Sequence, residues 1–116
     1  MQNVLVICCG AMSSSMIARK LTRTFVKLGC DIQVEATDLA NSDRYMEEGN
    51  YDLYLISPQI KMHKDHLVSI ANKYHLQIEE IPASMYVPVG KGMNELVEYI
   101  ESLLTPELPD AALEMT

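Results

Sequence analysis

The sequence contains no tryptophan and only one phenylalanine, although hydrophobic residues make up 48% of its 116 positions. A chain of this length fits one compact domain. Its core must therefore be built from valine, isoleucine, leucine and methionine rather than from large aromatic rings.

Long apolar runs and a secretion signal are also missing. No run approaches the roughly 18 residues of a membrane span, and the opening "MQNVLVICC" lacks the basic region and cleavage site of a signal peptide. The chain has three cysteines, Cys8, Cys9 and Cys30. An odd number without a secretion signal argues against a disulfide framework. We expect a soluble, cytoplasmic protein.

The sequence also lacks an excess of basic residues, and its formal net charge is -7. Proteins that bind nucleic acid through its phosphates usually present a basic face. The composition therefore argues against nucleic acid as a partner.

Apolar runs separated by turn residues predict strands that alternate with helices. The strands are predicted at 3–8, 30–36, 51–57 and 76–81, and the later helices at 41–48, 61–74 and 92–104. This alternation indicates an α/β protein, a four-stranded parallel sheet with helices on both faces. Because strands 3–8 and 51–57 are the most apolar, they are placed in the centre, in strand order 2-1-3-4. The domain is predicted to span 1–104, and 105–116 to form a flexible acidic tail.

The first helix is predicted to start at one of the serines at 13–15 and to end at Gly29. The residues that recur at helical spacing, and are expected to face the core, are Met16, Ile17, Leu21, Phe25 and Leu28. Met12 and Met16, near the start of this helix, are also candidates for an exposed docking surface, although a core position is favoured for Met16.

The strand order places a ligand site at the carboxyl ends of the first and third strands, where the winding direction reverses. Those ends carry Cys8 and the segment Ser57-Pro58-Gln59. Small residues follow Cys8 and lead into the helix, whose free N–H groups and dipole favour an anion such as phosphate. The predicted phosphoryl-binding loop consists of Cys9, Gly10, Ala11, Met12, Ser13, Ser14 and Ser15.

Cys8 is the predicted nucleophile, because a thiolate at the start of such a loop can attack a phosphoryl group and carry it. The spacing Cys8-x5-Ser14 resembles the Cys-x5-Arg loop of low-molecular-weight tyrosine phosphatases, with serine in the place of arginine. Without the guanidinium, the loop is better suited to passing on a phosphoryl group than to hydrolysing a phosphoester. The competing interpretation is that Cys8 is an inert buried residue. Cys9 is expected to be a small packing residue, and Cys30 a core residue. No ligand spacing predicts a metal site.

The stretch "VLVICCGAMSSSMIARKL" resembles the opening of the enzyme IIB component of the lactose/cellobiose/chitobiose class of the bacterial phosphoenolpyruvate:sugar phosphotransferase system (PTS). That family has a hydrophobic strand, then Cys-Ser-x-Gly-Met-Ser-Thr-Ser, then an amphipathic helix. "LYLISPQI" resembles its strand followed by Gly-Pro-Gln, and matches at Pro58 and Gln59. "IPASMYVPVGKG" resembles its segment after the fourth strand, and matches at Tyr86. In this chain Cys9 replaces a serine, Ser57 replaces a glycine, and Gly10-Ala11 changes the usual glycine position.

The resemblance implies a flavodoxin-like fold and a phosphotransferase that needs no cofactor or metal. Cys8 would accept a phosphoryl group from a phosphohistidine of a IIA component. It would then pass the group to a sugar, such as a β-linked disaccharide, that is bound by a membrane IIC permease. Contact with this permease would bring the protein to the inner face of the membrane. Pro58, Gln59 and Tyr86 become candidate contacts to the loop or to a partner.

Two other functions remain open at this point. One is a phosphatase or arsenate reductase with a similar loop, against which the missing arginine and the lack of a late Asp-Pro general acid both count. The other is a non-catalytic regulatory or binding domain on the same scaffold, in which Cys8 is dispensable.

Overall fold

The computed structural model describes residues 1–9, 12–87 and 90–104, with only the backbone of residues 12–14. The strands are β1 (Gln2–Cys8), β2 (Ile32–Asp38), β3 (Leu53–Ile56) and β4 (Ile78–Glu80). The α-helices are α1 (Met12–Lys27), α2 (Leu39–Glu48), α3 (Lys64–Tyr74) and α4 (Gly90–Leu104). Two short 3₁₀ helices, Pro58–His63 and Ala83–Met85, follow β3 and β4.

The four strands form one parallel sheet in the order β2-β1-β3-β4, which confirms the predicted topology. The two strands predicted to be central, β1 and β3, are the two interior strands. All four residues of β3 and the last five of β1 are buried. Both faces of these strands must be apolar because helices cover each side of a parallel sheet.

Two hydrophobic clusters sandwich the sheet. Alternate residues along a strand point to opposite faces, so Val6 and Leu55 belong to a cluster with α1 and α4, here called the α1/α4 cluster. Ile7 and Ile56 belong to a second cluster with α2 and α3, the α2/α3 cluster. Helices on both faces therefore follow from the two-sided apolar pattern of β1 and β3.

The buried face of α1 is narrower than predicted. Ile17, Leu21 and Phe25 are buried as expected, but Met16 is 43% exposed and Leu28 is 58% exposed. The three buried residues are four positions apart, so they lie along one side of the helix. Met16 lies about 100° from Ile17 around the helix axis, and Leu28 lies beyond the end of the helix. The core assignment of both was wrong.

The end of α1 explains why β2 starts at Ile32 rather than at residue 30. Gly29 has φ +78°, and its N–H donates to the Val26 carbonyl at 3.0 Å. The Cys30 N–H donates to the Phe25 carbonyl at 2.8 Å. These two bonds form a Schellman cap, so Cys30 belongs to the end of the helix and its N–H is not available to the sheet.

The helix α4 is described as far as Leu104, and the predicted acidic tail 105–116 lies outside the described residues. The predicted helix 61–74 divides at His63 into a 3₁₀ segment and α3. Within the three described ranges, no helix has the length and apolar character that a membrane crossing requires.

Candidate functional site

Three strands bring their carboxyl ends together at one edge of the sheet. Cys8 ends β1 and is paired in register with Asp38, which ends β2. On the other side, Ser57 follows β3 directly, and its N–H donates to the Ile7 carbonyl at 3.0 Å. The structure therefore places the first and third strand ends side by side, as the sequence predicted.

The Cys8 side chain is buried, with only 2% of the residue exposed. Its thiol donates a hydrogen bond to the backbone carbonyl of Thr37 in β2, at a sulfur–oxygen distance of 3.3 Å. A carbonyl oxygen can only accept, so this contact requires the protonated thiol. This bond holds the Cys8 side chain toward β2.

Cys9, by contrast, is exposed. Its thiol donates to the Oε1 atom of Gln59 at 3.4 Å. This contact joins the segment after β1 to the segment after β3, across 50 positions of sequence. Cys9 was expected to be a packing residue, and its exposure corrects that prediction: Cys9 interacts with one of the predicted contact residues instead.

The rest of the predicted loop is described only in part. Gly10 and Ala11 lie outside the described residues, as do the side chains of Met12, Ser13 and Ser14; Ser15 is exposed. The backbone of α1 starts at Met12, four positions after Cys8, and its first turn carries no acidic residue. The positive end of the helix dipole therefore follows Cys8 closely along the chain.

Asp38 is the acidic residue that pairs in register with Cys8, and it caps a helix. Its Oδ1 atom accepts from the Asn41 N–H at 2.9 Å and from the Asn41 side-chain amide at 2.8 Å, at the N-terminus of α2. An N-cap carboxylate is held by these bonds and by the helix dipole. Asp38 is thus engaged as a structural cap.

Pro58 and Gln59 begin the 3₁₀ helix that follows β3, with Pro58 at its first position. Proline suits this position because its missing N–H would be unpaired there in any case. Gln59 is exposed, so its side chain is available to Cys9. The strand β3 ends at Ile56, two residues before Pro58.

Tyr86 lies after the 3₁₀ helix Ala83–Met85 and is half-buried against the α1/α4 cluster. Its N–H donates to the Ala83 carbonyl at 3.2 Å. The ring therefore contributes to the core as well as being a candidate contact residue, and the sequence alone did not indicate this packing.

Gly92 controls how closely α4 approaches this segment. A Cβ atom on Gly92 would overlap Cγ2 of Val87 and would lie 2.6 Å from the carbonyl oxygen of Ser84. We expect Gly92→Ala to lower the free energy of unfolding by about 1–2 kcal/mol. Two such close contacts put the overpacking cost at about 2–3 kcal/mol, the upper part of its usual range, and the alanine gains ~1 kcal/mol in helix propensity. Urea denaturation measures this difference.

Asn94→Ala is the matched control, since Asn94 is exposed on the same helix. It should change the free energy of unfolding by less than about 0.5 kcal/mol, as surface substitutions do. A Gly92→Ala variant as stable as the wild type would show that Gly92 is not needed for the close approach.

The third cysteine is engaged elsewhere. The Cys30 thiol donates to Oε2 of Glu101 at 3.1 Å. This hydrogen bond to a carboxylate, together with desolvation, raises the pKa of Cys30, which disfavours the nucleophilic thiolate. Cys30 is half-buried against the edge of the α1/α4 cluster, so it lies at the border of the core and not inside it, where it was predicted. In the described part of the chain, no three His, Cys, Asp or Glu residues cluster in a way that could hold a metal ion.

A groove of about 560 Å³ runs between α1 and β2, and Cys8 is not among its lining residues. Its walls include Ser15, Arg19, Arg23 and Glu35. Because the lining carries both signs of charge, the groove offers no uniform field for an anion. The strand ends around Cys8, rather than this groove, form the candidate site.

Comparison with known proteins gives a family model and similar solved structures, two of which are described here. The family model described as "PTS system, Lactose/Cellobiose specific IIB subunit" matches residues 3–88. The structure is similar to the lactose-specific IIB component domain of the phosphotransferase system from Streptococcus pneumoniae, with a TM-score of 0.71 and 19% identity over 87% of this chain and 95% of that one. It is also similar to the cellobiose-specific phosphotransferase IIB component from Borrelia burgdorferi, with a TM-score of 0.64 and 21% identity over 89% of this chain and 87% of that one. The comparison with curated proteins gives no match. The two structural matches support the flavodoxin-like α/β fold.

Proposed function

Because this chain belongs to the family of PTS lactose/cellobiose-specific IIB subunits, which take part in phosphoryl transfer in the sugar phosphotransferase system, we propose that it carries a phosphoryl group on Cys8. The donor is a phosphohistidine of a IIA component. The acceptor is a sugar of the β-linked disaccharide class, bound by a membrane IIC permease. The protein works in the cytoplasm and meets the inner face of the membrane through that permease.

The position of Cys8 is the observation that carries this proposal. It ends an interior strand of the sheet, four residues before a helix N-terminus that has no acidic residue in its first turn. Backbone N–H groups at such a terminus stabilise phosphoryl oxygens without any metal. In this proposal the phosphoryl group is bound by the loop after Cys8, which consists of Cys9, Gly10, Ala11, Met12, Ser13, Ser14 and Ser15.

The transfer needs only groups on the two proteins and the sugar. The Cys8 sulfur bonds to phosphorus while the phosphorus–nitrogen bond of the donor breaks, and the imidazole keeps that electron pair and takes up the thiol proton. In the second step a sugar hydroxyl oxygen bonds to phosphorus while the sulfur–phosphorus bond breaks. The electron pair of that bond returns to sulfur, and the hydroxyl proton restores the thiol.

A carrier is favoured over a phosphatase by two observations. Ser14 stands where the phosphatase loop has arginine, so the loop lacks the guanidinium that would assist hydrolysis. Asp38, the acid in register with Cys8, is held as the N-cap of α2. A general acid must reach the leaving group, and a capping carboxylate is poorly placed to do so.

Partner contacts are proposed for the segment after β3. Pro58 and Gln59 lie at the same end of the sheet as Cys8, and Gln59 is exposed. Tyr86 is half-buried, so we assign it two roles: packing beneath this edge of the sheet and contacting the partner protein. Met16, at 43% exposure, adds an apolar side chain near the start of α1.

The burial of Cys8 favours one second candidate, a non-catalytic regulatory domain. At 2% exposure the residue is packed as inert core cysteines are. In that case the chain would bind a partner through the same edge without forming a phosphocysteine.

Phosphorylation of the full-length chain tests these functions. The chain is incubated with phosphoenolpyruvate, the general phosphotransfer proteins and a IIA component of the lactose/cellobiose class, and its intact mass is measured. We expect one phosphoryl group per chain, and no steady turnover when p-nitrophenyl phosphate is supplied instead. Steady turnover would contradict the carrier and favour a phosphatase, whereas the absence of any adduct would favour the regulatory domain.

A further inference from the structure

Ser57 has a buried hydroxyl that lacks a hydrogen-bond partner among the described residues. The residue is 0% exposed, and its Oγ atom has no partner. Its backbone is fully engaged, because its N–H donates to Ile7 and its carbonyl accepts from the Ile60 N–H at 3.2 Å. Buried polar groups are almost always paired in native proteins, so this hydroxyl points to a partner present in another state of the site.

The register of the sheet places Ser57 beside Cys8. Val6 pairs with Leu55 and Ile7 pairs with Ile56, and the bond from the Ser57 N–H to the Ile7 carbonyl continues this ladder by one residue. Ser57 also has an extended backbone, with φ -70° and ψ 153°. Cys8 and Ser57 are therefore neighbours on adjacent strands.

The two side chains also share one face of the sheet. Val6 and Leu55 lie in the α1/α4 cluster, and side chains two positions further along each strand return to that face. These positions are Cys8 and Ser57. The Ser57 hydroxyl is thus directed to the same side as the Cys8 sulfur.

The Thr37 carbonyl cannot stabilise an ionised sulfur on Cys8. The thiol donates to the Thr37 carbonyl on the β2 side, and a carbonyl oxygen would face a thiolate with like partial charge. A thiolate instead needs a donor, and a hydrogen bond to an ionised group is stronger than one between neutral groups. Ser57, on the β3 side, carries an available hydroxyl donor.

We propose that Ser57 donates a hydrogen bond to the sulfur of Cys8 when the thiol ionises, as the sulfur turns from the Thr37 carbonyl toward β3. This inference rests on the proposed role of Cys8 as the phosphoryl carrier. Ionisation releases the thiol proton to solvent or to the leaving imidazole, and the Ser57 proton stays on its own oxygen. The hydroxyl makes the reactive form of the nucleophile easier to reach.

The pH dependence of Cys8 alkylation tests this directly. The full-length chain is treated with iodoacetamide between pH 5 and 11, and tandem mass spectrometry separates modification of Cys8 from that of Cys9. Ser57→Ala is expected to move the midpoint of the Cys8 profile upward by about one pH unit, the scale of one charge-assisted hydrogen bond. Below the midpoint this corresponds to alkylation about tenfold slower.

Two further variants distinguish the effect of the Ser57 hydroxyl on the midpoint from the effect of changed packing. Ser57→Gly also removes the hydroxyl and should shift the midpoint in the same direction, which keeps the test available if the alanine variant folds poorly. Ser57→Thr keeps a hydroxyl and should retain the wild-type midpoint. An unshifted midpoint in both hydroxyl-free variants would overturn the proposal, and so would an equal shift in the threonine variant.

Failure of this inference is distinct from failure of the proposed function, because alkylation needs no partner protein. A wild-type chain that forms a phosphoryl adduct while Ser57→Ala leaves the alkylation profile unchanged refutes only the role of Ser57. A shifted profile in a chain that takes up no phosphoryl group supports the Ser57–Cys8 contact and refutes the carrier function.

Discussion

Cys8→Ser is expected to abolish formation of the phosphoryl adduct. The substitution replaces a thiol with a hydroxyl, which ionises far less readily and is a much weaker nucleophile. We expect a loss of at least about 10³-fold in the rate of adduct formation, the scale reached when a covalent nucleophile is removed. Intact mass after incubation with phosphoenolpyruvate, the general phosphotransfer proteins and a IIA component measures the result.

The fold of this variant should survive. Cys8 is buried and donates to the Thr37 carbonyl, and a serine hydroxyl can make the same kind of bond. Circular dichroism and urea denaturation will establish that the loss of the adduct is not a loss of structure.

Cys9→Ser is the matched control, because it makes the same atomic change one residue later. Cys9 is exposed and donates to Gln59, and serine keeps a donor at that position. We expect the same final stoichiometry of one phosphoryl group per chain. An adduct that survives Cys8→Ser and disappears in Cys9→Ser would transfer the role of nucleophile to Cys9, the more accessible of the two thiols.

The largest loss of stability is expected from Phe25→Ala. Phe25 is the sole phenylalanine of the chain and is 0% exposed within the α1/α4 cluster. Truncating a buried phenylalanine to alanine removes apolar contacts and leaves a cavity, at a cost of about 3–5 kcal/mol. Since a domain of this kind has a free energy of unfolding of about 5–15 kcal/mol, the urea midpoint should fall severely, with little change in the slope of the transition.

Val26→Ala provides the control for this prediction. Val26 is the next residue on α1 but is 67% exposed, so its truncation should change the free energy of unfolding by less than about 0.5 kcal/mol. Equal effects from the two substitutions would mean that α1 does not pack on the sheet through the side that carries Phe25.

The arrangement of the sheet could be predicted from the sequence because it depends on local patterns. Apolar runs at 3–8 and 51–57 are apolar on both faces, and only an interior strand of a parallel sheet requires that. The order 2-1-3-4 then placed Cys8 and Ser57-Pro58-Gln59 at neighbouring strand ends, and the register of β1 and β3 confirms this. The family resemblance came from short motifs in the same segments, and the family model matches residues 3–88.

Finer assignments failed where periodicity alone could not select between neighbouring residues. Met16 and Ile17 are both large and apolar, yet Ile17 is 3% exposed and Met16 is 43% exposed. The rotation of α1 about its axis decides this, and that rotation is set by how the helix packs against the sheet. The Schellman cap at Gly29 also removed Cys30 from β2, because the cap uses the Cys30 N–H.

The sequence by itself determined the strand order, the position of Cys8 at an interior strand end and the helix that follows it, because each is encoded within a few consecutive residues. Only the tertiary structure decided that Cys8 is buried against Thr37, that Cys9 is exposed and meets Gln59, and that Ser57 has a hydroxyl without a partner in the described chain. These features join residues that are tens of positions apart, and they depend on the register of three strands at once. Cys8 and Cys9 are adjacent in the chain, but the sheet buries the first and leaves the second exposed.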